Sequence, residues 1–506
     1  MATEVAFGKY STVAKYTPNL PQWVPPGHKE RVASYSTYEE IYWSHVSAYK
    51  VMNRGLDEAD EPVYVPSSRI MVETIDRYTA PELSFEAVSA TGNQDSQLKA
   101  TTAFTSLFAR ERFASKYAAA KLDGIKKGDW LWHIVADPTK EPGLRLSLLT
   151  VKPESYFPVF QDETVQGGDP DKMVMVILAE QVQVGDATLV RTQRYERDDN
   201  GIIWSSLELW KADEWFNWGY DADVKQPVTV LAPPTALPAE IKAFPVYHIP
   251  NTVETGEVFG SSDIRGLEVL QAALNQTATD EDLTLALMGL GVYATDEGGR
   301  PVNDRGQVTP WFISPGAVIE NAKGLHRVEG ITTLQPFTDH VDRLEGYMGD
   351  ASGATDAAKG RIQVQEAESG IALQLRLAPT LAKARKKDQI ILDVHRQMFF
   401  DLVNMWFPVF EQQNFSDVQV IPVLGDKLPV NRTAEVQMVN ELVLGGILSA
   451  GSARKYLVAK GFSGMFDPTE GDLVLAEKAA NAAAEGGAAM AEREQEELAG
   501  QGVEDA

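Results

Sequence analysis

The sequence predicts a multidomain α+β chain, and three observations carry that prediction. Apolar residues recur at steps of three and four through residues 368–407, the pattern of one long helix face. From Asp129 onward the apolar period drops to two, the mark of half-buried strands in a mainly antiparallel sheet. Between a second long helical pattern at 261–288 and a later one at 337–348 lies a short stretch of strand and turn signals, which reads as a small insert held between paired helices.

The long helix is the organising element. Leu373, Leu377, Leu381, Ala384, Ile391, Val394, Met398, Leu402 and Met405 form its stripe, with one longer step across Asp388. Glu368 and Ser369 suit the positive end of a helix dipole, and Pro408 is expected to stop the far end. At about 1.5 Å per residue such a helix is roughly 57 Å long, so it crosses more than one layer of structure. Lys383, Arg385, Lys386, Lys387 and Asp388 in its middle exclude a bilayer span. Pro379 lacks the N–H for the Leu375 carbonyl and is expected to kink the helix.

The other elements follow in order. Residues 1–35, with Pro18, Pro21, Pro25 and Pro26 around Trp23, read as an extended arm, and Ser36 to Arg54 as a helix. Tyr64 to Ile75 reads as a strand. A helix is expected from Ser96 to about Leu122, with Phe104, Leu107, Phe108 and Phe113 on its apolar face and Gly124 and Gly128 ending it. Strands are expected around Trp130–Ile134, Leu144–Leu148, Met173–Val184, Thr188–Tyr195, Ile203–Trp210 and Phe244–Asn251, with Asp221–Ala239 a proline-containing loop. The helix Ser261–Met288 has Ser261 or Ser262 as its cap and Asp263 in its first turn. Within the insert, Val292–Thr295, Thr309–Ile313 and Val328–Thr332 are short strand candidates around the polar turn Asp296–Gly306. A helix Phe337–Met348 precedes a small-residue stretch, Gly349–Ala367, too flexible in composition for a core element. A strand at Val418–Val423, a helical module from Asn431 to about Ala476 and a frayed Ala/Glu/Gly tail, Glu477–Ala506, complete the chain.

Composition narrows the function. The 506 residues allow about three domains. A formal net charge of -26 argues against tight nonspecific binding to DNA or anionic membranes, which needs clustered Lys and Arg. With no cysteine there is no disulfide, thiol nucleophile or thiolate metal site, and the start MATEVAFGKYS has no signal-peptide pattern. The seven histidines stand apart from one another, so helical metal motifs are absent, and no P-loop or G-x-S-x-G segment occurs. Gly289-x-Gly291-x-x-Ala294 follows a helix rather than a strand, and Ser452-x-x-Lys455 lacks its companion motifs. Asp280, Glu281 and Asp282 form an acidic run that reads as a solvated helix face or the wall of an acidic cavity. No catalytic residue, cofactor site or metal site is assigned. The competing enzyme reading is an acid-pair hydrolase using, for example, Glu73 and Asp282, since carboxylate pairs leave no local motif.

Several stretches together carry a family resemblance. FGSSDIRGLEVLQAALNQTATDED (259–282), then GVYATD, then ESGIALQLRLAPTLAKARKKDQ (368–389) resemble the portal proteins of tailed bacteriophages, the head-to-tail connectors. GDWLWHIVADP (128–138), VKPESYFPVF (151–160) and AEVQMVNELVLGGILSAGSARKYL (434–457) extend the resemblance over most of residues 36–470. Asp263 departs from it, because many relatives have proline there.

The resemblance implies the following organisation. An N-terminal arm (1–35) precedes a wing (36–260), a stem helix (261–288), a small α/β clip (289–336) and a second stem helix (337–348). A tunnel loop (349–367), the return to the wing through the long kinked helix and a strand (368–430), a helical crown (431–476) and a tail (477–506) follow. It also implies a homo-oligomeric ring, usually a dodecamer, at the capsid vertex of the virion, assembled in the host cytoplasm. Double-stranded DNA would pass through it without tight binding. Terminase, a head-tail connector or adaptor, and the major capsid and scaffolding proteins are the implied partners, with no membrane. Arg300 and Arg305 at the clip tip would serve partner docking, Lys359 and Arg361 would face DNA from the tunnel loop, and Asp280, Glu281 and Asp282 would lie on an acidic stem face. Another capsid or head-tail structural role is the alternative within the same class.

Overall fold

A computed structural model describes residues 21–44, 62–161, 172–212, 214–216, 226–290, 292–294, 326–328, 333–361, 370–415, 417–427 and 432–457. The chain divides into two units, residues 1–427 and 428–506. In the first, helices α1 (Lys29–Tyr42) and α2 (Ser67–Tyr78) precede strand β1 (Leu83–Ser89), α3 (Gln94–Arg110) and α4 (Phe113–Lys127). Eight strands follow: β2 (Asp129–Ala136), β3 (Leu146–Val151), β4 (Tyr156–Phe160), β5 (Met173–Val184), β6 (Ala187–Arg197), β7 (Ile203–Lys211), β8 (Thr229–Ala236) and β9 (Val246–Pro250). Helix α5 (Glu268–Leu290) leads to the short strands β10 (Val292–Ala294) and β11 (His326–Val328), then to α6 (Gln335–Ser352). The long helix α7 (Gly370–Asp401) continues as a π-helical segment (Leu402–Glu411), and β12 (Val418–Leu424) ends this unit's elements. The second unit contains α8 (Arg432–Leu444) and α9 (Ala450–Leu457), which pack through Val439, Ala453 and Leu457.

Among the described residues every strand pairing is antiparallel. The sheets have the orders β1-β12, β10-β11, β3-β2-β9 and β4-β5-β6-β7-β8. The largest core lies where α3, α4, α7 and the π-helical segment meet the β1-β12 and β3-β2-β9 sheets, and it is aromatic. Phe113 stacks on Trp132 at 4.9 Å between ring centroids and on Phe108 at 4.0 Å, while Phe104 meets Phe399 and Phe407. A second core joins α2, α5 and α6 through Met71, Ile75, Leu274, Leu344 and Met348, with Leu267 from the turn just before α5. The β10-β11 pairing, Val292↔Val328 to Ala294↔His326, holds together the two ends of the insert between α5 and α6.

Several expectations are corrected. The arm already turns helical at Lys29, so the first helix starts and ends earlier than Ser36–Arg54. Tyr64–Ile75 is not a strand: after Pro66 the chain forms α2, because Met71, Val72 and Ile75 at helical spacing can all be buried against α5 and α6, and that burial overrides the β-branched composition. The predicted single helix 96–122 is two helices, broken at Arg112, whose φ of 51° is left-handed. The break frees Phe113 to stack on both Phe108 and Trp132. Gly128, with φ 116°, ends α4, whereas Gly124 lies inside it. The loop expected at 221–239 contains β8, an edge strand that admits Pro233 and Pro234 because an outer edge asks for no N–H donor there.

In the later part of the chain, α5 begins at Glu268 and not at Ser261, with residues 263–267 in turns. The strand candidate Thr309–Ile313 and the turn Asp296–Gly306 lie outside the described residues. The described part of the small-residue stretch is packed: Ala354 and Ala358 are buried, and the carbonyl of Gly353 accepts from the Thr380 hydroxyl of α7 at 2.7 Å. Pro408 does not stop the long helix, which runs to Glu411 in π-helical form and ends at Gln412 in a left-handed conformation. The wider ring of π-helical bonding relieves the clash that a proline makes with the carbonyl four residues back.

A Cβ on Gly124 would lie 2.3 Å from Cδ1 of the buried Trp130. Gly124→Ala is therefore expected to cost about 1–3 kcal/mol by overpacking, read as a lower denaturation midpoint at unchanged slope. Gly27→Ala, with nothing within 4 Å of the new carbon, serves as the neutral control. Equal midpoints for all three chains would show that Trp130 yields without cost.

Candidate functional site

One face of α7 gathers a cluster of buried and half-buried charges. Thr380, Lys383 and Lys387 follow one another at three and four residues and therefore share a face. Lys387 Nζ pairs with Asp263 Oδ2 and donates to Asn251 Oδ1 at 2.8 Å. Lys383 Nζ reaches the other Asp263 oxygen at 3.1 Å and donates to the Ser352 carbonyl at the end of α6 at 2.7 Å. Asn251, just past β9, donates to the Ser261 carbonyl at 2.9 Å. One turn of α7 thus ties the entry to α5, the exit of α6 and the end of β9.

The neighbouring Asp388 faces another way. Its Oδ1 accepts from the Ala80 amide at 2.9 Å, where the chain leaves α2, and its Oδ2 pairs with Lys427. Lys121 of α4 closes the same turn by donating to the Thr79 carbonyl at 2.7 Å while pairing with Asp76. Burial favours the uncharged form of every group here, so the net shifts show which partners prevail. Burial pushes Lys387 down to about 8 despite Asp263. For Asp263 burial pulls upward, but the two lysines together hold it below the usual carboxylate range.

Two further buried carboxylates shape the unit. Asp129, at the start of β2, accepts from the Gly260 amide at 2.7 Å, from His248 at 2.6 Å and from the Tyr35 hydroxyl of α1. Asp401, where α7 changes to π-helical form, accepts from Tyr247 Oη at 2.8 Å and Gln397 Nε2 at 2.9 Å, yet burial raises it to about 6.

The residues singled out in the sequence are dispersed. Asp280, Glu281 and Asp282 lie on α5, with Gln276 donating to Asp280 at 2.9 Å. Lys359 is 3% exposed and paired with Asp356 at 2.7 Å, whereas Arg361 is 53% exposed and paired with Glu345. Arg300 and Arg305 lie outside the described residues. Glu73 is occupied by Arg69 and the Tyr42 hydroxyl. Asp263 does not act as a first-turn charge on α5; it precedes that helix and is buried against α7. Burial lowers His28, His133 and His395 to about 4, which leaves them neutral. Among the described residues no group of three or more His, Asp or Glu could hold a metal ion.

Sequence reasoning missed the Asp263–Lys383–Lys387 cluster although a signal existed. The apolar stripe of α7 skips a step between Ala384 and Ile391, where Lys387 and Asp388 stand, and charges at stripe positions of a long helix mark a buried polar contact.

No family model and no curated protein matches the sequence. Among solved structures, the chain is similar to one from the "Neck of empty GTA particle computed with C6 symmetry", with 13% identity, a TM-score of 0.42 and coverage of 78% of this chain and 90% of that one. It is also similar to one from the "Neck of native GTA particle computed with C12 symmetry", with 14% identity, a TM-score of 0.36 and coverage of 79% and 96%. At these scores neither likeness carries a functional conclusion.

Removing one partner of a buried pair strands the other charge, so Asp263→Ala is expected to cost about 3–5 kcal/mol. Asp263→Ala with Lys387→Met should recover much of that loss. Additive costs in this double-mutant cycle would refute the coupling. Asp401 gives a pH signature. Its folded-state value lies above the ordinary one, so its contribution to stability is complete below about pH 4 and is lost as pH rises through about 6, to the extent of about 3 kcal/mol. Asp401→Asn should remove this decline, and the difference between variant and wild-type melting curves should grow in the variant's favour from pH 4 to 7. A difference independent of pH would show that Asp401 stays ionised throughout.

Proposed function

We propose that this chain is the subunit of a portal-type ring, a head-to-tail connector through which DNA enters and leaves a phage-like particle. The observation that carries the reading is the arrangement α5, insert, α6, packed segment, α7. Two helices are joined at one end by an insert with a paired-strand base, and at the other end they are clamped to a single turn of a long third helix. On this reading the two helices form a stem that projects the insert, and they fall within the stretches of sequence that resemble portal proteins.

The surfaces of these helices support an assembly role. Leu375 is 70% exposed, Val269 65%, Phe400 55% and Tyr347 54%. Large apolar side chains left in water on long helices favour burial against a neighbour, at about 25 cal/mol per Å² of area removed from water. On this reading residues 36–260 and 368–430 form the wing, 289–336 the clip and 431–476 the crown. Arg300 and Arg305 would meet a terminase or connector at the clip tip. Arg361 would be the tunnel-loop cation that keeps surface exposure, since Lys359 is held inside by its fold and by Asp356. The strongly acidic charge suits a channel that must let a polyanion slide.

The assembly is tested by mass and by substitution. The purified chain at micromolar concentration should run as a ring many times the 55.6 kDa of one subunit, with a central hole in negative-stain images. Leu375→Lys with Phe400→Lys should lower the ring fraction at least about 10-fold while leaving the subunit folded, because both side chains are already exposed. A wild-type chain that stays monomeric sinks the proposal.

A further inference from the structure

The two edges of the five-stranded sheet are unlike. Beside β4, Arg31 of α1 donates to the carbonyls of Pro153 at 2.9 Å and Tyr156 at 2.7 Å, so a guanidinium guards the start of that edge. Along β8 every residue from Thr229 to Ala236 is exposed. Residues 226–239 contain no Asp, Glu, Lys or Arg, and Val228, Val230 and Leu231 stand about half exposed. Sheet edges are ordinarily guarded by charge or proline against further pairing. Here Pro233 and Pro234 guard the second half of the strand, and among the described residues no strand pairs with the outer edge of the first half.

A suitable occupant precedes the described residues. Residues 1–20 are rich in strand formers, with Val5, Phe7, Tyr10, Thr12, Val13, Tyr16 and Thr17, and their charges are Lys9 and Lys15 against Glu4. The chain emerges from them on this same sheet. The Trp23 carbonyl accepts from Trp215 Nε1 at 2.7 Å, and Val24 is buried among Phe157, Ile177, Val190 and Trp210, side chains of β4 to β7. Five strands span about 19 Å at roughly 4.8 Å per step. An extended arm of this length reaches up to about 66 Å at roughly 3.3 Å per residue, so it can return to β8 without help from a second copy.

We propose that residues 5–17 of the chain's own arm add to β8 as a sixth strand, covering Val228, Val230 and Leu231. The inference does not rest on the ring reading. In the full chain, backbone amides of Thr229–Ala232 should exchange with solvent at least about 10-fold more slowly than in a chain lacking residues 1–20. Amides of β5 and β6, followed in the same experiment, report whether the truncated sheet is intact. Val230→Lys with Leu231→Lys, at positions already exposed, should raise tryptic cleavage after Lys9 and Lys15 at least about 10-fold in the full-length protein, and this arm decides alone if the truncated chain misfolds. Equal exchange with and without the arm, or unchanged cleavage, overturns the proposal. So does protection of β8 that appears only as protein concentration rises, since a second copy would then be the occupant.

Discussion

Burying Asp263, Lys387 and part of Lys383 beside one another is the constraint on which the rest of the first unit depends. Each charge alone would be expensive to remove from water, and together they are tolerable only while their geometry is kept. The geometry requires α7 to present Lys383 and Lys387 to the segment before α5 while the C-terminal carbonyls of α6 approach from the side. Helices that could otherwise slide along apolar faces are thereby pinned at one point. The second core, built from α2, α5 and α6, is then placed relative to the long helix by polar contacts, whose directionality apolar packing lacks.

The first core is pinned differently. Trp132 Nε1 donates to His395 Nε2 at 3.0 Å, and His395 Nδ1 donates to the Ile391 carbonyl at 2.6 Å, so a neutral imidazole links β2 to α7 inside an aromatic cluster. Beyond it the helix widens into π-helical form. The change lets Trp406, Phe407 and Phe410 all enter the core and brings Glu411 to the loop before β3. There its carboxylate accepts from the Arg145 amide at 2.9 Å and the Leu146 amide at 3.0 Å. Polar groups at one turn of α7 and aromatic groups two turns further on divide the work of holding the long helix.

A connector reading draws on both features. If the proposed ring forms, directional buried contacts between α7 and the segments flanking α5 and α6 would resist sliding in a way that scattered surface ion pairs do not. The exposed apolar residues on the same helices supply the area that neighbouring copies could cover. The buried charge cluster and the exposed apolar side chains are built from different residues of these helices.

Much of the architecture was legible in the sequence. Period-two alternation located β2, β5, β6 and β7, and the α7 stripe located the long helix, because both patterns record which residues must leave water. The acidic balance and missing motifs narrowed the function in the same local way. Only tertiary structure decided that 67–78 is a helix, that the helix after 94 breaks at Arg112 and that the long helix passes Pro408, because each outcome depends on partners distant in sequence. The fate of Asp263 shows the limit most plainly. A first-turn acid and the buried partner of a lysine look identical in a string of letters, and what separates them is Lys387 arriving 124 residues later, carried to Asp263 by a helix whose apolar stripe said where to pack but not which charge it would meet.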